Sequence, residues 1–155
     1  MTLISMVPDW LFILFGLVFL YAAASDIAKR KIPNAAVIAL IIGAVVAVVL
    51  EGFDTSLWEN AAMFAIILAV GTFAFSRGWF GGGDVKLLAA TALWFDMADG
   101  LRMIVSTAVV GGLVTLVMLM ARVAFKGKDR EMGRLVPYGV AIGLGAVGTG
   151  LWLRG

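Results

Sequence analysis

The chain of 155 residues is 63% hydrophobic and only 14% charged, with a mean hydropathy of +1.06. A soluble domain carries roughly 25% charged residues, so these figures exclude an ordinary water-soluble enzyme and point to a lipid bilayer. The net charge of +2 is spread over separate segments rather than gathered in a basic face, so no nucleic-acid partner is expected. Histidine and cysteine are both absent. That removes Ser–His and Cys–His nucleophilic pairs, thiolate zinc sites, the HExxH helix and disulfides. The chemistry left for breaking a bond is a pair of carboxylates, a Ser–Lys pair, or a metal held by oxygen alone.

In chain order, apolar blocks run over 10–25, 35–50, 61–76, 85–95, 101–121 and 135–153. A spanning helix takes about 20 mostly apolar residues, and each block but the fourth reaches or approaches that with its flanks. Six membrane helices with short connections leave no room for a soluble domain, so 1–155 reads as a single integral-membrane domain. The opening "MTLISMVPD" has no Lys or Arg and carries Asp9. It lacks the basic start of a secretory leader, and the segment is read as the approach to the first span.

Charge gives the orientation. If the N-terminus lies outside, the inner connections are 26–34, 77–84 and 122–134. They hold Lys29, Arg30, Lys31, Arg77, Arg122, Lys126, Lys128, Arg130 and Arg134, with Lys86 just inside the fourth span. Only Arg102 and Arg154 fall on the other side, where Asp9, Glu51, Asp54, Glu59, Asp96 and Asp99 collect. This is the positive-inside bias. Omitting the short fourth span would reverse the last connection, so the charges favour six spans with both termini extracytoplasmic.

Two carboxylates fall on the inner side. Asp26 lies in "SDIAKRKIPN", where the first span meets its connection, and Pro33 suits the first turn of the next helix. A solvated polar helix end accounts for Asp26 as well as a functional role does. Asp84 follows three glycines in "WFGGGDVKL". The fourth span of 85–95 covers only about 16 Å as a helix, against a hydrocarbon core of about 30 Å. Either the bilayer thins around this helix or the helix begins below the surface, and in the second case residues 81–84 lie at or under the interface, where ionisable groups are usually functional. Glycines there permit close backbone approach and positive φ. A plain N-cap is the competing explanation for Asp84. Two carboxylates in a partly dry site share a proton, and such a pair can activate water without His, Cys or metal.

At these residues the chain resembles the type IV prepilin peptidase family, the bacterial branch of the membrane GxGD aspartyl proteases. The likeness rests on six spans, "SDIAKRKIPN" after the first, "GGGDVKLL" opening the fourth and "VPYGVAIGLG" opening the sixth. Gly81, Gly83 and Asp84 match GxGD, with Gly82 at the variable position. The resemblance implies that Asp26 and Asp84 form a catalytic pair that cuts the leader of a pilin precursor at the cytoplasmic face of the bacterial inner membrane, with no cofactor or metal. Many members carry a further cytoplasmic domain with paired cysteines, associated with N-methylation of the new amino terminus. This chain has neither, so the resemblance does not carry methylation over. The compact form is similar to Flp/Tad-type peptidases, with archaeal preflagellin peptidases as compact relatives.

Pro137, Tyr138 and Gly139 are candidates for lining the site, although an interfacial Tyr anchor is an ordinary alternative. Gly139 and Gly143, four apart, suit close helix packing. Lys86, about 200° round the helix from Asp84, is expected to face away. Trp10, Trp58, Trp79, Trp94 and Trp152 are expected as interfacial belt residues. Two rival readings remain. "SDIA" at 25–28 and "FDMA" at 95–98 are placed as an inverted repeat of a proton-coupled transporter would place them. Ser25 and Lys29, one helical turn apart, could form a Ser–Lys pair.

Overall fold

The computed structural model describes residues 2–54, 56–124 and 138–155. The helices among them are α1 (Leu3–Met6), α2 (Asp9–Lys29), α3 (Asn34–Glu51), α4 (Leu57–Ser76), α5 (Gly82–Ala92), α6 (Met97–Ala124) and α7 (Tyr138–Arg154), with no strand among the described residues. Four of them, α2, α3, α4 and 97–117 of α6, are long and apolar enough to cross a bilayer. Their outward faces carry Leu20, Val45, Val49, Val70, Leu113 and Val117, all exposed. Rows of apolar side chains turned outward on long helices match lipid and not water. The chain is an all-α integral membrane protein.

Several boundaries differ from the expected blocks. Helix α2 continues to Lys29, so Asp26 lies in its last turn rather than in the connection that follows. Arg30 ends it in the left-handed region, φ 52°, donating its N–H to the Asp26 carbonyl at 2.8 Å. Pro33 precedes α3 as its N-cap residue, and its carbonyl accepts the Ala36 N–H at 3.0 Å. The short helix begins at Gly82 instead of Val85, which makes Gly82, Gly83 and Asp84 its first turn.

Helix α5 is the centre of the bundle, in contact with α3, α4 and α7. Leu87 and Ala90 join the core that α2, α3 and α7 build, whereas Ala89 and Ala92 pack with Met63 and Ile67 of α4. A helix buried on both sides must be apolar or small all round. Its one buried hydroxyl, Thr91, donates back to the Leu87 carbonyl at 2.7 Å. Lipid offers little hydrophobic drive between helices, so close packing at small residues holds them together. A Cβ on Gly71 of α4 would stand 2.6 Å from a Val85 methyl, and one on Gly43 of α3 would stand 2.7 Å from the Trp94 ring.

Eleven residues carry α5 across only about 16 Å. The depth it leaves is filled by α1. Leu3, Ile4 and Val7 are buried, and the Ile4 N–H donates to the Trp94 carbonyl at 3.2 Å. Trp94 is therefore a core residue and not a belt residue: its indole N–H donates to the Leu40 carbonyl at 3.1 Å, and its ring lies 4.8 Å from that of Phe15. A buried indole needs such an acceptor. Trp10, Trp58, Trp79 and Trp152 are exposed.

Polar contacts close the α1 end of the bundle. Arg154, in the last turn of α7, donates to the carbonyls of Ile4 at 3.0 Å and Val7 at 2.8 Å and pairs with Asp9. Thr2 donates its hydroxyl to buried Asp99 at 2.6 Å, and Asp99 also pairs with Arg102. The Asp96 carboxylate accepts the Asp99 N–H at 2.9 Å, in the manner of an N-cap for α6. Burial works against ionisation of Asp96, but the hydrogen bond from the Asp99 N–H helps hold its carboxyl below the usual range.

Candidate active site

Asp26 and Asp84 arise at the same end of the bundle, opposite α1, from the last turn of α2 and the first turn of α5. Each is half-buried.

Each is also held at a helix N-terminus, where unpaired N–H groups and the positive end of the dipole favour negative charge. For Asp26 the helix is α7: the Gly139 N–H donates to Asp26 Oδ2 at 2.9 Å. A Cβ on Gly139 would lie 3.0 Å from that oxygen and 3.3 Å from Asp26 Cβ. One turn on, a Cβ on Gly143 would lie 3.2 Å from Phe19 Cβ. The glycines four apart thus form the face of α7 that packs on α2, as the spacing suggests, and the same face orients Asp26.

For Asp84 the helix is its own. Gly81 is the N-cap residue, and the carboxylate of Asp84, the third residue of the helix, lies close against it. Asp84 is therefore not the N-cap residue, although it does serve the helix start.

The three glycines act by close approach and not by unusual backbone, since the positive-φ glycine in this connection is Gly78, φ 75°. A Cβ on Gly81 would stand 2.6 Å from Asp84 Oδ2; on Gly82, 3.3 Å from the Phe75 ring; on Gly83, 3.1 Å from Ile32 Cβ and 3.6 Å from the Ile32 nitrogen. Gly83 lets the start of α5 lie against the connection that leaves Asp26. Ser25 shapes the same connection by donating its hydroxyl to the Lys31 carbonyl at 2.9 Å. That bond occupies the hydroxyl in holding the turn, and it leaves the Ser–Lys reading without support.

Beside Asp84 lies a cavity of about 590 Å³ between α4, α5, α6 and α7. Asp84 is the one charged side chain among its described lining residues. Tyr138 lines it and meets Phe80, with ring centroids 5.5 Å apart and planes at 53°. Lys86 is exposed and lies outside this lining, as its helical position suggests. Pro137, the remaining candidate, lies outside the described residues. No group of three or more carboxylates gathers as a cation site among the described residues.

Sequence reasoning missed Ile32, Phe80 and the glycine pair Gly111 and Gly112, both of which line the cavity. Phe80 had one available signal, its place directly before the glycines. Nothing local connects Ile32 or Gly111 to the site, because their relation to it is made by helix packing.

No curated protein and no solved structure matches the chain. The family model described as the type IV leader peptidase family matches residues 13–116, more than half of the chain and the part that contains both aspartates. The chain belongs to the type IV leader peptidase family, a family of peptidases.

Proposed function

We propose that the protein is a membrane aspartyl endopeptidase that removes the leader of type IV, Flp-type prepilins or pilin-like precursors, with Asp26 and Asp84 as its catalytic pair. What supports this reading is that the two carboxylates arise at the same end of the bundle, from the last turn of α2 and the first turn of α5, where Gly83 lies against Ile32 of the connection that leaves Asp26. Family membership supports a peptidase acting on a pilin precursor. In the proposed reaction the ionised member takes a proton from water as the water oxygen attacks the scissile carbonyl. The protonated member donates to the carbonyl oxygen. Collapse of the tetrahedral intermediate then passes a proton to the departing amine nitrogen. Gly81, Gly83, Tyr138 and Gly139 shape the site, and the reaction calls on no cofactor.

The proposed setting is the bacterial inner membrane, with the chain as one domain that crosses six times and has both termini extracytoplasmic. Helices α5 and α7 complete the spans that the four long helices begin. The basic residues at the aspartate end, including exposed Lys29, Lys31 and Arg77, support a cytoplasmic site. Asp96, half of the supposed transporter repeat, is engaged at the start of α6, so nothing favours a proton relay there.

The test is cleavage of a pilin-type precursor by the purified protein in liposomes. Asp26→Asn and Asp84→Asn each lower the rate by about 10²–10⁴-fold, while Ser25→Ala still cuts. Full activity in the Asp26→Asn/Asp84→Asn double variant would sink the proposal.

A further inference from the structure

Each aspartate takes its place from the start of a helix. Asp26 accepts the N–H of Gly139, the second residue of α7, at 2.9 Å. Asp84 belongs to the first turn of α5, with its carboxylate against Gly81. Helix α7 packs on both α2 and α5. The spacing of the two carboxylates is therefore governed by how the start of α7 sits relative to the start of α5.

An aromatic residue stands immediately before each of these glycines. Phe80 precedes Gly81, and Tyr138 precedes Gly139. Their rings meet, with centroids 5.5 Å apart and planes at 53°, a tilted arrangement within the favourable range for aromatic pairs. Behind Tyr138 is α6, where a Cβ on Gly111 would lie 3.9 Å from the ring. Phe80 arrives on a connection that is itself held: the Trp79 N–H donates to the Ala74 carbonyl at 3.0 Å. Such a ring has only two side-chain torsions to fix, so the contact joins two backbone segments at small cost in freedom.

We infer that Phe80 and Tyr138 are positioning residues, whose ring contact clamps the start of α5 to the start of α7 and so holds the spacing of Asp84 and Asp26. The inference rests on the peptidase reading above and goes further by naming the device that keeps the pair in register. The contacts at Gly83 and Gly139 limit how closely the segments approach. Two rings in contact do the opposite work, because their attraction resists separation. Both directions matter, since acid and base must address one water and one carbonyl, and a misplacement of about 1 Å costs on the order of 10²-fold.

The test is cutting of a pilin-type precursor in liposomes by Phe80→Ala, Tyr138→Ala and the double variant, beside Phe80→Tyr and Tyr138→Phe, which keep a ring. Each alanine lowers kcat about tenfold or more with KM within about twofold. The double variant is no slower than the slower single one, because either change already breaks the contact. The ring-keeping variants recover most of the lost kcat. A raised KM at unchanged kcat makes the rings a binding surface and overturns the clamp. So does strict additivity, and so does a Tyr138→Phe protein as slow as Tyr138→Ala, which would give the role to the hydroxyl. A second measurement needs no activity. The chain has no cysteine, so spin labels at Ile27→Cys, beside Asp26, and Trp79→Cys, beside Phe80, both at exposed positions, report the spacing directly. Adding Tyr138→Ala widens their distance distribution, and adding Tyr138→Phe does not. An unchanged distribution with Tyr138→Ala overturns the clamp while leaving the peptidase reading intact. Failure of the unaltered chain to cut any such precursor removes the peptidase reading, and the labels still decide whether the rings hold the two segments together.

Discussion

The N–H of Gly139 reaches the carboxylate of Asp26 across 113 residues of chain, at 2.9 Å. Two helices distant in sequence are thereby joined at the atom proposed to work on water. A glycine suits this bond, because α7 comes close enough to α2 that a methyl group would press on the carboxylate itself.

Gly139→Ala is accordingly expected to move Asp26 by a fraction of an ångström to an ångström. Displacement of that size costs roughly 10–100-fold in rate. Gly148→Ala, on the same helix but with nothing within 4 Å of the new Cβ, keeps its rate and gains about 0.5–1 kcal/mol from helix propensity. Precursor cleavage and thermal unfolding in detergent, measured on both variants, separate the two effects. Equal rates for both would show that the Gly139 contact does not position the carboxylate.

Gly83 and Ile32 form a second junction, between the start of α5 and the connection after Asp26. Gly83→Ala pushes the two apart and slows cutting. Ile32→Ala in the same chain makes room for the methyl group and restores part of the rate. A double-mutant cycle on the cleavage rate is expected to give a coupling of about 0.5–3 kcal/mol. Strict additivity would mean that the contact does not connect the two aspartates.

The pH dependence follows from the proposed reaction, in which one carboxyl group serves as base and the other as acid. Activity rises with pH as the first of the pair ionises, because the base is then available. It falls as the second loses its proton, because the acid is then lost. Both apparent pKa values belong to the pair and not to either residue. A rate that climbs to a plateau and never falls would argue against a carboxyl acid. A chelator in the assay is expected to leave the rate unchanged.

Arg154 ties the end of α7 to α1 through two carbonyls and Asp9. Arg154→Lys keeps the charge but loses the planar fork that reaches several acceptors at once. The expected loss is about 1–3 kcal/mol of stability, with cleavage still proceeding below the new melting point. An unchanged Tm would show that α1 is held by its buried Leu3, Ile4 and Val7 alone.

Composition and pattern by themselves determined the class of molecule. A chain with this hydropathy can bury its backbone in lipid only as helices, and its aspartates stand at the ends of two apolar blocks. The two-glycine-apart motif before Asp84 and the segment after Asp26 were enough to indicate the family. These properties are local: period, length, charge bias and short spacing lie along the chain.

What tertiary structure alone decided is how those pieces meet. No local signal distinguishes Trp94, packed in the notch at Gly43, from the exposed tryptophans at other helix ends. Nor does the sequence say that α1 fills the depth left by a short α5, since that follows from a hydrogen bond between Ile4 and Trp94. The glycines before Asp84 read as freedom in one dimension, yet each proves to be an approach distance to a different neighbour. In a bilayer, helices are held by close contact at small residues more than by burial of grease. Which small residue faces which partner depends on rotations and crossings that the whole bundle settles together.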